Sequence, residues 1–183
     1  MQQNGNYAFI DSQNLNLGVQ KMGWKMDWRR FRNYLFDNYN VTKAYMFIGH
    51  MPEHEDLYEQ MHKLGYLVVL KPTQDTTKLP VVVPENAVEP EEKKPIKGNI
   101  DADLVLWAMR EFQNYQKAII VSGDGDFYGL VEYLQEQGKL LHIMTPNWQY
   151  SSLLKVFEPF IVRLDQHRRE LSYHKRVSKP PKG

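Results

Sequence analysis

Short apolar runs alternate along the chain with segments whose apolar residues recur at helical spacing. The runs are short, contain many β-branched and aromatic residues and do not alternate with polar ones, which is typical of strands buried on both faces. They predict strands at 7–10, 44–48, 66–70, 118–121 and 140–144, with a sixth, edge strand at 160–164. The segments between them predict helices at 27–39, from Pro52 to Leu64, at 99–114, from 127 to about 137, and near 153–157.

This alternation predicts an α/β fold. Strands that follow helices one by one favour a parallel sheet with helices on both faces. We therefore expect a three-layer α/β/α sandwich with a mostly parallel sheet of five to six strands. The common winding of such folds gives the strand order 3-2-1-4-5, in which the direction of winding reverses between strands 1 and 4.

The pattern also divides the chain. Residues 1–164 are predicted to form one domain, interrupted at 72–98 by a loop that contains five prolines. Residues 165–183 form a basic C-terminal arm, which we expect to be helical at first. Residues 163–183 carry a formal charge of +5, whereas the remaining 162 residues carry −4.

Composition excludes several classes of site. The chain has no cysteine, which excludes disulfides, thiolate metal sites and cysteine nucleophiles. No apolar run reaches the length that spans a membrane. The first six residues lack the charged and apolar regions of a signal peptide. We therefore expect a cytoplasmic protein without a membrane partner.

Acidic residues follow two of the predicted strands. Asp11 ends the first strand, and Asp124 and Asp126 lie in the turn after the strand at 118–121. Ligands of open α/β sheets bind beyond the carboxyl ends of the strands, where these residues are expected. Each acid alone is also explained as a turn former or a helix cap.

A third segment brings a further acid towards the same edge. At about 100° per residue, Asp101 lies on the helix face of Leu104, Val105, Ala108 and Phe112, whereas Asp103 lies nearly opposite. Asp101 is therefore expected to point inward from the first helical turn, and Asp103 to face solvent. A first-turn acid is also favoured by the helix dipole alone.

Four converging carboxylates would repel one another without a cation. Mg²⁺ and Mn²⁺ are hard ions that prefer oxygen ligands and keep several waters. A site of this kind can activate a water molecule and neutralise charge on a phosphodiester. The acids therefore predict a Mg²⁺ or Mn²⁺ site for phosphoryl chemistry.

Three ordered motifs resemble the NYN domain of the PIN-like nuclease superfamily, in its LabA-like branch. They are Phe9–Leu15, Lys97–Asp101 and Val121–Phe127, and the resemblance spans about residues 6–165. It implies a PIN-like Rossmannoid fold and a metal-dependent ribonuclease site. By this resemblance Asp11, Asp101, Asp124 and Asp126 bind metal or orient water, Asn14 steadies the first loop, and Ser122 hydrogen-bonds within the site. The proline-rich loop and the short C-terminal arm depart from the family pattern.

Other residues are candidates for contact with RNA. Lys97 precedes the helix that carries Asp101, and Trp148 follows the fifth strand at a position suited to stacking on a base. The arm supplies Arg168, Arg169, Lys175 and Arg176, which could follow a nucleic-acid backbone. Each of these side chains is also consistent with an ordinary solvated surface.

The sequence leaves three functions to compare. The first is a metal-dependent ribonuclease, expected to be an endoribonuclease. The second is an RNA-binding regulatory module that uses the same fold without cleavage. The third, a phosphatase or phosphotransfer receiver, is disfavoured because Thr145-Pro146-Asn147 stands where a receiver has a lysine. A homo-oligomer is compatible with all three.

Overall fold

The computed structural model describes residues 5–49, 55–71 and 100–174. The proline-rich loop at 72–98, with Lys97, therefore lies outside the described residues, as do Lys175 and Arg176 of the arm. The start of the third predicted helix, at Pro52, also lies outside them.

A parallel sheet of six strands is the central layer of these residues. Its strands are β1 (Asn6–Asp11), β2 (Val41–Gly49), β3 (Tyr66–Lys71), β4 (Ala118–Val121), β5 (Leu140–Thr145) and β6 (Ile161–Arg163). Their order is β3-β2-β1-β4-β5-β6, and every pair is parallel. The predicted α/β class and the predicted order of the first five strands are confirmed. β2 begins at Val41, three residues before its predicted start at Ala44.

Helices cover both faces of this sheet. They are α1 (Ser12–Lys21), α2 (Trp28–Tyr39), α3 (Glu55–Lys63), α4 (Ile100–Arg110), α5 (Tyr128–Glu136) and the short α6 (Arg168–Leu171). Residues of β1 alternate between two cores: Ile10 packs with α1 and α2, and Phe9 packs with α4 and α5. The apolar run of β1 is therefore buried on both faces, as its composition predicts.

One helix was missing from the sequence prediction. Residues 12–21 form α1, and Asn14 lies in this helix. Asp11 caps α1, while Leu15 and Val19, four residues apart, are its buried positions. The polar residues between these positions weaken the apolar periodicity of the segment, and packing on the sheet stabilises the helix instead.

Two helices differ from their predicted extent. α4 ends at Arg110 rather than at residue 114, because residues 111–114 form tight turns in which the Asn114 amide donates to the Glu111 carbonyl. The helix near 153–157 is a 3₁₀ segment, Ser152–Phe160, which contains Pro159. Proline lacks the amide hydrogen that a longer α-helix would need.

The segment after β6 packs on the domain as far as Ser172. Leu171 is fully buried among residues of α1 and α2, and the Tyr173 amide donates to the Lys25 carbonyl. Arg168 donates to the carbonyls of Met22 and Gly23, just after α1. Residues 165–172, the first part of the predicted arm, therefore pack on the body of the domain.

Candidate active site

The candidate site lies where the winding of the sheet reverses. β1 and β4 are neighbours in the sheet, and Ile10 pairs with Val121. Asp11 and Ser122 therefore leave the sheet side by side, at its carboxyl edge. The helices that follow these two strands lie on opposite faces, which opens a crevice at this edge.

Asp11 is held firmly at this edge. It is 6% exposed, and its Oδ1 accepts a hydrogen bond of 3.1 Å from the Asn14 amide, which caps α1. Its Oδ2 accepts a hydrogen bond of 3.1 Å from Ser122 Oγ. Each oxygen keeps a lone pair for a further partner.

Ser122 and Asn14 connect the two strand ends. Ser122 is 1% exposed, and its Oγ also accepts a hydrogen bond of 3.1 Å from the Asp124 amide. Asn14 Oδ1 accepts a hydrogen bond of 2.9 Å from the Gly123 amide. The turn that carries Asp124 is therefore fixed to β1 and α1 by side-chain hydrogen bonds.

Asp124 begins a single 3₁₀ turn, Gly125–Phe127, that leads into α5. Its Oδ1 accepts a hydrogen bond of 3.0 Å from the Asp126 amide, and Phe127 is buried beneath the turn. This local geometry leaves Asp126 exposed and Asp124 half-buried on the same side of the sheet edge.

Asp101 reaches the same place from α4. Leu104 and Ala108 anchor α4 in the second core, which turns Asp101 inward as the helical wheel predicts. One carboxylate oxygen from each of Asp101, Asp124 and Asp126 lies within 4.8 Å of the other two. We call these three residues the carboxylate cluster. Neither Asp11 nor Asp103 belongs to it.

Burial and mutual repulsion raise the pKa of two of these acids, Asp101 and Asp11. Burial, and then the charges of Asp11, Asp124 and Asp126, raise the pKa of Asp101. Burial is also the largest cause that raises the pKa of Asp11, against the hydrogen bonds from Asn14 and Ser122, which lower it. The charge of Asp124 adds to the increase in the pKa of Asp11. Asp11 is therefore close enough to interact with the cluster electrostatically.

The donor set suits a hard divalent cation. Three carboxylates from two segments offer oxygen atoms only, at spacings that one ion could bridge, and the exposed Asp126 leaves the solvent side open. A cation there would remove the repulsion that raises the pKa of Asp101. Mg²⁺ and Mn²⁺ both fit this chemistry, and the geometry does not choose between them.

The residues proposed to contact RNA lie in different surroundings. Trp148 is 55% exposed, and the guanidinium of Arg163 lies 5.9 Å from the centre of its ring. Arg169 is exposed, whereas the Arg168 guanidinium already binds the two carbonyls near the end of α1.

Sequence reasoning missed the residues that line a cleft beside the cluster. They come from α1 and from the loop after β5, and they include Gly18, Lys21, Asn147 and Gln149. Without a predicted α1, nothing linked Lys21 to the site. The four-residue spacing of Leu15 and Val19, after a capping aspartate and before Gly23, was the signal that could have revealed it.

Within the described ranges no helix has both the length and the apolar composition needed to cross a lipid bilayer.

Comparison with known proteins agrees with the fold and the motifs. Residues 7–164 match the NYN domain family. The "Low amplitude and bright protein LabA" of Synechococcus elongatus is 28% identical over 141 residues, which cover 74% of this chain and 69% of LabA. A crystal structure of a protein of unknown function, VPA0982 from Vibrio parahaemolyticus, superposes with a TM-score of 0.66 at 19% identity. That match covers 94% of this chain and 99% of the other, and it supports the fold alone.

Proposed function

The chain belongs to the NYN domain family, and from that premise we propose that it is a metal-dependent ribonuclease. NYN domains belong to the PIN-like nuclease superfamily and act on RNA. The proposed reaction is hydrolysis of a phosphodiester bond within the RNA chain by an activated water molecule. The observation that carries the proposal is the carboxylate cluster, in which Asp101, Asp124 and Asp126 bring their oxygens within 4.8 Å of one another.

Each acidic side chain has a proposed part in the reaction. A bound Mg²⁺ or Mn²⁺ ion would lower the pKa of a water molecule and neutralise charge on the phosphodiester. Asp101 and Asp124, both half-buried on α4 and in the turn after β4, would hold the ion. Asp126 is exposed, and its carboxylate can bind the ion or accept a proton from the attacking water at the solvent side.

Asp11 and the two supporting residues keep this arrangement in place. Asp11 adds negative charge behind the cluster, which increases its affinity for a cation. Ser122 holds the Asp124 amide and Asp11 together, and Asn14 holds the Gly123 amide. Preorganised ligands of this kind lower the cost of arranging the site during the reaction.

The test is cleavage of RNA by the full chain with Mg²⁺ or Mn²⁺. A labelled linear RNA detects any nuclease, and a circular RNA, which has no ends, reports internal cleavage. We expect both to be cut by the wild type, and we expect Asp124→Asn to reduce the rate by at least 100-fold, roughly the effect of removing one electrostatic stabiliser. Asparagine can still cap the Asp126 amide, so the turn should persist.

The matched control is Asp103→Asn. Asp103 lies two residues from Asp101 in the first turn of α4 but outside the carboxylate cluster, so this variant should cleave RNA at the wild-type rate. Equal cleavage by Asp124→Asn and the wild type would overturn the proposal. RNA binding without cleavage by the wild type would instead support the regulatory module.

A further inference from the structure

A cleft of about 230 Å³ lies next to the carboxylate cluster, between α1 and the loop 146–149 that follows β5. Asn14 and Gly123 form its end near the cluster, since Gly123 directly precedes Asp124. Lys21 lies at the other end, seven residues further along α1, which corresponds to about 10 Å of helix. The cleft therefore leads away from the proposed site of cleavage towards a positive charge.

The walls of this cleft are fixed by hydrogen bonds. Asn147 is buried, and its Nδ2 donates a hydrogen bond of 2.9 Å to the Gly18 carbonyl, which joins the loop to α1. Its Oδ1 accepts a hydrogen bond of 2.7 Å from the Gln149 amide, which shapes the loop. Gly18 packs directly on Pro146. A cleft whose shape is set in advance loses less entropy when a ligand binds.

Side chains of three kinds line the cleft and remain accessible. Leu17 is 58% exposed and offers apolar surface, and Gln149 offers an exposed amide. Lys21 is exposed, and it forms no ion pair with any of the described residues. An apolar surface, an amide and a free ammonium group match the flat face, the polar edge and the phosphate of one nucleotide. The volume is below the range of about 300–1,000 Å³ that is usual for larger ligands.

We propose that this cleft binds one nucleotide of a single-stranded RNA, adjacent to the nucleotide whose phosphate meets the carboxylate cluster. The base lies against Leu17 and Gln149, and Lys21 binds a phosphate. Single-stranded RNA is commonly recognised in this way, with its bases splayed out from one another. The proposal rests on the proposed function in one respect, which is that the ligand of the chain is RNA.

Binding can be measured without cleavage. The probe is a 5′-fluorescein-labelled single-stranded 10-mer of uridine, followed by fluorescence anisotropy with the full chain in EDTA. Lys21→Gln and Leu17→Glu are each expected to weaken binding by about 5- to 10-fold. Loss of one phosphate contact should also reduce the slope of log K against log salt by about 0.7.

Two variants control for general effects of charge and exposure. Lys25→Gln removes an exposed lysine that does not line the cleft, and Phe36→Glu places an acid on an exposed apolar position of α2. Both should bind the 10-mer within twofold of the wild type. If they weaken binding as much as the cleft variants do, the cleft is not the binding site and the proposal is overturned.

Cross-linking locates the contact directly. A 10-mer containing 4-thiouridine is irradiated with the chain and digested with trypsin, and the cross-linked peptides are identified by mass spectrometry. We expect cross-links in the peptides 1–21 and 140–155, which carry the two walls of the cleft. Cross-links confined to other peptides would overturn the proposal.

The outcomes separate this proposal from the proposed function. Cleavage of RNA with no effect of the cleft variants would leave the ribonuclease standing and overturn the cleft. Binding through the cleft without metal-dependent cleavage would support the cleft and overturn the ribonuclease. No binding of RNA at low salt and no cleavage would overturn both.

Discussion

Replacement of Asp101 by asparagine should stabilise the metal-free protein. Its pKa is raised by burial and by the charges of Asp11, Asp124 and Asp126, so its ionised form is disfavoured in the folded state. Asparagine has almost the same shape, removes the charge and keeps a carbonyl oxygen. The neutral amide of the variant therefore removes the repulsion between position 101 and the other acids.

The size of the effect follows from the spacing of the cluster. At 4.8 Å, the largest separation of the three oxygens, two unit charges repel by about 0.9 kcal/mol at the dielectric constant of water and by about 3.5 kcal/mol at a dielectric constant of 20. The value for water is the better guide, because Asp126 is exposed and Asp101 is only half-buried. Two such pairs give about 2 kcal/mol.

Asp101→Asn also loses the favourable interaction of a negative charge with the helix dipole, which removes part of this gain. Asp101 and Asp103 both lie in the first turn of α4, where an acid contributes about 0.3–1 kcal/mol. The expected net gain for Asp101→Asn is therefore about 1 kcal/mol. This corresponds to an increase in Tm of about 2–4 °C for a domain of this size. Asp103→Asn is the matched control, because it loses the dipole interaction without relieving the cluster.

The pH dependence has a definite sign. Because the pKa of Asp101 is raised by folding, the folded state holds the proton more tightly than the unfolded state does. The contribution of Asp101 to the stability of the wild type therefore falls as the pH rises from the ordinary pKa through the raised one. The advantage of Asp101→Asn over Asp103→Asn should be small near pH 3, where carboxyls are mostly protonated, and complete above the raised pKa.

Thermal unfolding in EDTA at pH 8 measures this difference. Salt at about 1 M should reduce the difference, because it screens charges beyond about 3 Å. The advantage should also shrink in an Asp124→Asn background, since one of the charges that repel Asp101 is then absent. Repulsion at Asp101 is not the cause if Asp101→Asn is no more stable than Asp103→Asn, or if its gain is unchanged in that background.

Three further changes test the framework around the site. Ser122→Ala should lower the free energy of unfolding by about 1–3 kcal/mol in urea denaturation, because it leaves Asp11 and the Asp124 amide without the hydroxyl that both bind. The control is Ser152→Ala at an exposed position, which should change the free energy of unfolding by less than about 0.5 kcal/mol. Gly18→Ala should destabilise the protein by about 1–3 kcal/mol, since the new methyl group would lie 2.4 Å from the Pro146 Cβ. Gly129→Ala has open space around it and should stabilise the protein by about 0.5–1 kcal/mol. The opposite order of stabilities in calorimetry would contradict this packing. Leu171→Ala should lower the free energy of unfolding by about 2–5 kcal/mol, because Leu171 is fully buried. The arm is therefore tested by truncation after His174, which keeps Leu171 and should weaken both RNA binding and its salt dependence. Equal RNA binding before and after truncation would count against a role for the arm.

The strands were predictable because burial on both faces restricts them to apolar residues. A parallel strand covered on both faces must be apolar throughout, so β4 was located to the residue at Ala118–Val121. Asp101 was placed correctly on the inner face of α4 for a similar reason, since helical periodicity fixes the direction of a side chain once the core face is known. These features depend on local patterns alone.

Features that depend on distant contacts could not be predicted in the same way. α1 carries few apolar residues, and its helix is stabilised by packing on the sheet and by the cap from Asp11. The cleft brings residues 14–21 together with residues 146–149, which are more than 120 positions apart, through the hydrogen bond between Asn147 and Gly18. No periodicity in either segment contains that information.

The separation of Asp11 from the carboxylate cluster also required coordinates. The sequence placed four acids at one edge of the sheet, and it did not set Asp11 apart from Asp101 and Asp124. The structure shows Asp11 with a hydrogen-bond donor on each oxygen, while the other three lie together. The role of Asp11 as a metal ligand, like the roles of the other three, stays a prediction.

The most direct test of a metal-dependent site is a crystal structure of the chain soaked in Mn²⁺, with anomalous diffraction to identify the ion. We predict an anomalous peak in contact with carboxylate oxygens of Asp101 and Asp124, and no peak there in crystals of Asp124→Asn. Wild-type crystals that show no peak at the carboxylate cluster, or show Mn²⁺ only elsewhere, would contradict it.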